Sequence, residues 1–284
     1  MLVWQRSEPG TIRGENQDVL VVREDQGVLL LVDGRGPGGR DLAHALATHL
    51  ERELLRLPLY GRPADTPDRL RGIFAEAHRL VRERQVAGQV DPTCGIDVAA
   101  AVVVEGQLVL ANAGTGGLLA KVGGTAWGLE PRGLPMLTHE GRGSSAVVTA
   151  RAPVAARPPL DDPQVHGPVP ITVGDWVMLF SEGLLASQPL DEVARVAGAV
   201  ASEPDDIAEG LFQRASQRYD GDDRTMVLAR FLPRDLQQRF PPDRVVSVEI
   251  DRRHSIPLWK PLAVVGAAFL AVGSLFLIAW RRVR

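Results

Sequence analysis

Four acidic residues share one local setting, in which a carboxylate ends an apolar strand or lies in a loop that joins one. The clearest is Asp33, which follows five apolar residues, 28–32, and precedes Gly34. Such a run predicts a strand buried on both faces, and an uncompensated carboxylate at its end is unfavourable. The other three acids are Asp18, Glu182 and Asp222. Each acid also fits the simpler role of turn former or helix cap, but together they indicate a site for Mg²⁺ or Mn²⁺.

The composition is that of a globular protein with no general affinity for polyanions. The 284 residues are 45% hydrophobic and carry a net charge of −3, which argues against nucleic acid as a partner. The single cysteine, Cys94, excludes an intrachain disulfide and fits a reducing compartment. A buried structural role for this thiol is expected, because no histidine lies near it in sequence.

The C-terminal part of the chain contains an uncharged apolar segment. No residue from 262 to 280 is charged, and at about 1.5 Å per residue this run covers a bilayer core of about 30 Å. Trp259 and Trp280 bracket the run, and basic residues flank it. We predict a single transmembrane helix over 261–281, a basic tail over 282–284 and a polar tether over 232–260. The alternative is a buried core helix.

No secretory signal is evident at the N-terminus, so the domain before the membrane segment is expected to be cytoplasmic.

The order of the predicted elements favours an α+β fold. Strands come in hairpins and helices come in pairs, which argues for antiparallel sheets with helices packed outside, rather than for a parallel sheet. The proline-rich stretch 152–170 is predicted to be a loop. Strands are predicted at 2–5, 18–23, 28–33, 96–104, 107–111, 118–122, 145–151, 171–180 and 225–231, and helices at 40–57, 67–86, 190–200 and 205–218.

Five short motifs occur in a fixed order between about residues 8 and 231. They are Arg13-Gly-Glu-Asn-Gln-Asp18, Asp33-Gly34 with the glycines that follow, Asn112 to Gly116, Gly174-Asp175 to Ser181-Glu182-Gly183, and Asp222-Asp223-Arg224-Thr225. In this order and spacing they resemble the motifs of the metal-dependent serine/threonine protein phosphatases, the PPM or type 2C family, and its bacterial members in particular.

The resemblance implies a four-layer α-β-β-α sandwich over residues 1–231 and a site for two Mn²⁺ or Mg²⁺ ions. In that family the ions hold a bridging water that attacks a phosphoserine or phosphothreonine ester, without a phospho-enzyme. Asp33 would bridge the ions, and Arg13 would hold two phosphate oxygens, although a solvated surface arginine is the simpler reading of Arg13. The metal ligands implied are Asp18, Asp33, the Gly34 carbonyl, Glu182 and Asp222.

The chain also departs from the family pattern. Glu182 replaces an aspartate and so moves its carboxylate by one methylene, and Thr115 replaces an aspartate associated with a further, weaker metal. Gly117 leaves that motif without its arginine, and Arg40 stands where a histidine is usual. The stretch 137–171 is short for the family's mobile flap.

Two functions therefore stay open. The first is a membrane-tethered protein phosphatase that opposes a serine/threonine kinase and acts on its phosphorylated substrates. The second is a catalytically impaired pseudophosphatase that binds phosphoproteins at the membrane.

Overall fold

The structure, a computed structural model, describes residues 1–10, 15–114, 116–122, 125–129, 160–187, 204–218 and 221–232. All of them belong to the unit Met1–Arg239. Within these ranges no helix is long and apolar enough to cross a membrane. The predicted strand at 145–151, the helix at 190–200, and nearly all of the tether and the membrane segment fall outside the described residues.

The described strands form two five-stranded antiparallel sheets. The first sheet has the order β1-β10-β9-β6-β7 and the second has the order β2-β3-β4-β5-β8. The strands are β1 (Leu2–Glu8), β2 (Asp18–Arg23), β3 (Val28–Arg35), β4 (Gly95–Val104), β5 (Gln107–Ala113), β6 (Gly117–Val122), β7 (Thr125–Leu129), β8 (Gln164–Pro170), β9 (Trp176–Phe180) and β10 (Arg224–Arg230).

Helices cover the outer face of each sheet. The helices α1 (Gly39–Leu54) and α3 (Thr66–Val86) pack against the second sheet, and α5 (Pro204–Arg218) packs against the first sheet. In α1 the buried residues Leu42, Leu46 and Leu50 recur every four positions, which gives the helix one apolar face. The helices are α1 (Gly39–Leu54), α2 (Arg56–Tyr60), α3 (Thr66–Val86), α4 (Glu182–Ser187) and α5 (Pro204–Arg218), with a 3₁₀ turn at Pro63–Asp65.

The alternation of side chains along β3 divides the core into layers. Leu30 and Val32 pack against the helices, whereas Leu29 and Leu31 pack against the other sheet. Because every face of β3 is covered, the strand has the continuous apolar sequence expected of a fully buried strand. The predicted α+β sandwich of two antiparallel sheets flanked by helices is confirmed.

The prediction of a loop over 152–170 is wrong in its last part, where β8 forms. Among the described strands, this one pairs only with β5 and lies at the edge of its sheet. Prolines are tolerated at an edge because one side of an edge strand makes no ladder hydrogen bonds. The prolines therefore explain why the sequence did not predict this strand.

Other predicted boundaries also shift. The strand predicted at 171–180 begins only at Trp176, because the Asp175 carboxylate accepts hydrogen bonds from the Thr172 backbone N–H (2.6 Å) and hydroxyl (2.8 Å) in a turn. The predicted helix 40–57 ends at Leu54, and α2 continues to Tyr60. The short elements β7 and α4 were not predicted.

Candidate active site

Three aspartates form a row across neighbouring strands of the second sheet. Asp18 on β2 pairs with Asp33 on β3, and Asp33 pairs with Asp97 on β4. Directly opposed residues in antiparallel strands share a face and lie about 5 Å apart at Cα. Leu29 and Leu31 precede Asp33 on the same face and pack between the sheets. The carboxylates therefore end the apolar layer between the two sheets.

Asp18 is a buried carboxylate whose charge the described residues compensate only weakly. Neither of its oxygens has a hydrogen-bond partner among the described residues. The pKa of Asp18 is raised to about 6, chiefly by burial. The hydroxyl groups of Thr225 and Ser181 lower this pKa, whereas the charge of Asp223 raises it. A carboxylate in this position favours either a proton or a cation.

Asp33 is surrounded by negative charge. Burial raises its pKa well above the ordinary value, and the charges of Asp18, Asp97 and Asp222 add to the rise. The Arg35 guanidinium opposes these effects. The structure thus brings Asp18, Asp33 and Asp222, which are remote in sequence, into one electrostatically coupled group.

Tight packing of glycines joins the loops at this end of the molecule. A Cβ at Gly10 would lie 2.4 Å from the Asp222 carbonyl carbon, and one at Gly183 would lie 2.1 Å from the Asp223 carbonyl oxygen. Only residues without a side chain allow such approaches. Gly183 follows Glu182, the first residue of α4. Glu182 therefore begins its helix where the chain packs against the Asp222–Asp223 backbone.

The turn after Asp33 is equally compact. The Gly34 N–H donates to the Gln17 carbonyl oxygen at 3.2 Å, and the Gln17 side-chain amide donates to the Gly36 carbonyl oxygen at 3.2 Å. A Cβ at Gly34 would lie 2.4 Å from the Gly39 carbonyl oxygen, so α1 begins directly beside the end of β3. The predicted ligands Asp18 and Gly34 are thus linked through the adjacent Gln17.

Asp223 is a site residue that the sequence interpretation missed. Its Oδ1 accepts a hydrogen bond from the Gly10 backbone N–H and its Oδ2 accepts one from the Gln17 backbone N–H, both at 2.8 Å. These two residues flank the segment that contains Arg13, which itself lies outside the described residues. One carboxylate, 2% exposed, therefore holds both ends of the predicted phosphate-binding loop. The sequence prediction assigned a role to Asp222 alone, so its neighbour Asp223 was not recognised.

Asp97 and Arg35 are a second pair that was missed. Arg35 Nη2 donates to Asp97 Oδ1 at 2.7 Å, and Asp97 is 2% exposed. Gly114, with a φ of 100°, makes room for this carboxylate, because a Cβ there would lie 2.0 Å from Asp97 Oδ1. Asp97 lies near the start of β4 rather than at the end of a strand, so it lacks the local pattern that the other acids share.

The donor chemistry of the site suits a divalent cation. No three His, Cys, Asp or Glu side chains in the described ranges are arranged around a single point that could hold an ion. However, Asp18 presents two buried oxygens without hydrogen bonds, and Asp18 raises the pKa of Asp33. Mg²⁺ and Mn²⁺ prefer such oxygen donors and would compensate the shared charge. On these grounds the residues fit the predicted metals.

Cys94 is free and buried, and burial raises the pKa of its thiol. A thiol with a raised pKa is a poor nucleophile, which agrees with a structural role. Thr115 lies outside the described residues. Arg40, at the position where the family has a histidine, is exposed and pairs with Glu15 at 3.1 Å.

Solved structures with the same fold include bacterial serine/threonine phosphatases. Each comparison covers 80–81% of this chain and 97–98% of the other. PppA, "a key regulatory component of T6SS in Pseudomonas aeruginosa", is 20% identical with a TM-score of 0.60. The phosphatase PstP/Ppp of Mycobacterium tuberculosis is 15% identical with a TM-score of 0.60. The PPM phosphatase MsPP of Mycobacterium smegmatis, solved with cacodylate, is 18% identical with a TM-score of 0.56.

The comparisons agree with the motif resemblance at the level of the fold. No family sequence model matches the chain, and no curated protein sequence is significantly similar to it. The chain has the fold of the bacterial PPM serine/threonine phosphatases, as the order of its motifs predicted.

Replacing Asp223 by Asn should destabilise the protein. Asparagine keeps the shape but offers an NH₂ group to one of the two backbone N–H donors, and an unsatisfied buried donor costs about 1–3 kcal/mol. Unfolding of the full chain in urea should show this loss. Asp68→Asn, which removes an exposed acid on α3, is the matched control and should change stability by less than about 0.5 kcal/mol. Equal stability of the two variants would contradict the bonding described for Asp223.

The raised pKa of Asp18 predicts a pH-dependent stability in EDTA. The folded-state pKa is about 6 against an ordinary 3.8, so the unfolded state loses its proton first as pH rises. The free energy of unfolding should therefore fall between pH 4 and pH 6, by about 3 kcal/mol from this group. Asp18→Asn should flatten this slope, as measured by urea unfolding at each pH. Parallel curves for the two proteins would refute the prediction.

Proposed function

We propose that this chain is a metal-dependent protein phosphatase that hydrolyses phosphoserine and phosphothreonine. The observation that carries the proposal is the buried pair Asp18 and Asp33 at one end of a sandwich with the PPM fold. The charge of Asp222 acts on Asp33 in the same place. Buried carboxylates whose pKa values are raised are costly to folding, and such groups are concentrated at functional sites. The phosphatases that share the fold supply the substrate class.

The side chains have distinct roles in this proposal. Asp18, Asp33, Glu182 and Asp222, with the Gly34 carbonyl, would hold two Mn²⁺ or Mg²⁺ ions. When bound, such ions supply an acidified water and positive charge for the phosphoryl oxygens. The burial of Asp33 at the end of the inter-sheet layer keeps its carboxylate in a medium of low dielectric constant, where its attraction to a cation is strengthened.

Asp223 and Arg13 would act together on the substrate phosphate. Asp223 binds the backbone at Gly10 and at Gln17, so it restrains the segment between them. Arg13 lies in that segment and carries a planar guanidinium that can bind two phosphate oxygens at once. A restrained loop lowers the entropy lost when the arginine binds, which makes Asp223 a positioning residue.

A pseudophosphatase is the second candidate function. It is favoured by the observation that no three potential ligands within the described ranges surround a single point. Glu182, in place of the family's aspartate, also lengthens one ligand, and Mg²⁺ requires a nearly ideal octahedral geometry. In this case the site would bind a phosphorylated partner without cleaving it.

Asp33→Asn should abolish catalysis without unfolding the protein. We expect kcat/KM for a phosphoserine peptide with Mn²⁺ to fall at least about 100-fold, because the bridging charge is lost. Asp25→Asn, at the opposite end of the β2–β3 hairpin, is the matched control and should keep full activity. The stabilisation of the wild type by Mn²⁺, measured as a rise in Tm, should disappear in Asp33→Asn alone.

Three outcomes separate the two candidates. Turnover in the wild type and not in Asp33→Asn supports the phosphatase. Phosphopeptide binding without turnover in the wild type supports the pseudophosphatase. If the wild type neither binds nor hydrolyses the peptide and Mn²⁺ leaves Tm unchanged, both are rejected.

We further propose that the domain is cytoplasmic, is held at the membrane by a transmembrane helix over 261–281, and opposes a serine/threonine kinase. The support is the uncharged run 262–280 between Trp259 and Trp280. The full chain should stay in the membrane fraction through high-salt and alkaline carbonate washes. A chain that ends after Leu232 should move to the soluble fraction. Release of the full chain by salt alone would overturn the anchor.

A further inference from the structure

A cleft of about 340 Å³ opens between α3 and the ends of β3 and β4. Its side chains include Arg35 and Asp97 from the strands, and His78, Val81, Arg82 and Gln85 from the helix. This volume is at the lower end of the range for ligand pockets and would hold one or two side chains of a bound peptide.

One stripe of α3 forms a wall of the cleft. His78, Val81, Arg82 and Gln85 recur at spacings of three and four, so they lie on one face of the helix. Val81 is buried, whereas Arg82 is exposed. The Gln85 amide donates to the Cys94 carbonyl oxygen at 3.1 Å, which fastens the helix to the chain that leads into β4. The wall is therefore a built part of the fold.

The described lining of the cleft holds two arginines and one acid. That acid is Asp97, and Arg35 bonds to it through Nη2 at 2.7 Å. A further acid, Asp161, pairs with His78 at 3.1 Å beside the cleft and leaves the two arginines to other partners.

The Arg35 side chain is 24% exposed, and a guanidinium has five N–H donors. The ion pair with Asp97 therefore leaves N–H donors of Arg35 available to a ligand. Among the described residues, Arg82 bonds only to the neutral Gln85 side chain, at 3.0 Å, so no acid of the described part of the chain pairs with its charge. A carboxylate is the complementary ligand.

Gly95 explains how Arg35 reaches this position. A Cβ at Gly95 would lie 3.2 Å from Arg35 Nη2 and 3.4 Å from its Nε. The guanidinium lies directly against the backbone at the start of β4, and a larger residue would crowd it. The arginine is thus seated at the floor of the cleft.

The cleft adjoins the proposed catalytic carboxylates. Asp97 lines the cleft and is also the cross-strand partner of Asp33, about 5 Å away at Cα. An extended peptide advances about 3.3 Å per residue. A peptide whose phosphoserine lies at Asp33 would therefore bring a side chain two or three residues away into the cleft.

We propose that this cleft binds an acidic side chain of the substrate, two or three residues from the phosphorylated one, through Arg35 and Arg82. The inference rests on the proposed function and specifies its substrate class as phosphoserine or phosphothreonine in an acidic sequence. A lysine or arginine at the same substrate position would be repelled.

The test uses the full chain and two fluorescent phosphoserine peptides that differ only in having Glu or Gln two and three residues on each side of the phosphoserine. Binding is measured by fluorescence anisotropy and hydrolysis as kcat/KM. We expect roughly tenfold tighter binding of the Glu peptide, as for one charge-assisted contact, and a smaller difference at high salt.

Two charge reversals on α3 provide the matched comparison. Arg82→Glu should abolish or invert the preference for the Glu peptide, whereas Arg84→Glu, two residues further along the same helix and outside the cleft lining, should leave it unchanged. Equal binding of the two peptides by the wild type, undetectable binding of both, or an equal effect of the two reversals would overturn the inference.

The outcomes also separate this inference from the proposed function. Tighter binding of the Glu peptide without turnover supports the cleft and rejects catalysis. Turnover without any preference supports catalysis and rejects the cleft.

Discussion

The removal of carboxylates from water at one end of the sandwich is the constraint on which the site depends. Asp18 and Asp33 end the apolar layer between the sheets, where the Arg35 guanidinium offsets the charge of Asp33 only in part. Their raised pKa values express that cost. Folding tolerates it because the large apolar layers behind them, around Leu29 and Leu31, fix the register that sets the two acids side by side.

The acids at this end differ in how the protein satisfies them, and this difference separates their roles. Asp223 receives two backbone N–H groups and Asp97 receives the Arg35 guanidinium. Asp18, by contrast, has two buried oxygens that no described residue bonds. Charges compensated by the protein itself serve the structure, whereas an uncompensated one leaves room for a ligand. On this basis Asp223 is a candidate positioning residue and Asp18 a candidate ligand.

The sequence predicted the fold and three of the acids that the structure couples, because both depend on local patterns. Asp33 follows an apolar run, and hairpin order indicates antiparallel sheets. Asp97 escaped because its importance comes from register with Asp33, which no local pattern encodes. Asp223 escaped because its partners, Gly10 and Gln17, lie over 200 residues away. Strand β8 was not predicted because proline disfavours strands except at the edge of a sheet, and the sequence does not show which strands are at an edge.

Glu182 stands where the PPM family has an aspartate, and its side chain, rather than the backbone, must accommodate the extra methylene. The preceding Ser181 N–H donates to the Thr225 carbonyl oxygen at 2.9 Å, and the following Gly183 packs against the Asp223 carbonyl oxygen. The chain at Glu182 therefore cannot shift back by the length of a methylene, about 1.5 Å. The glutamate must fold its longer side chain to reach the same point, which costs rotamer freedom. For the proposed metal site, this substitution predicts a weaker metal affinity with the same set of ligands.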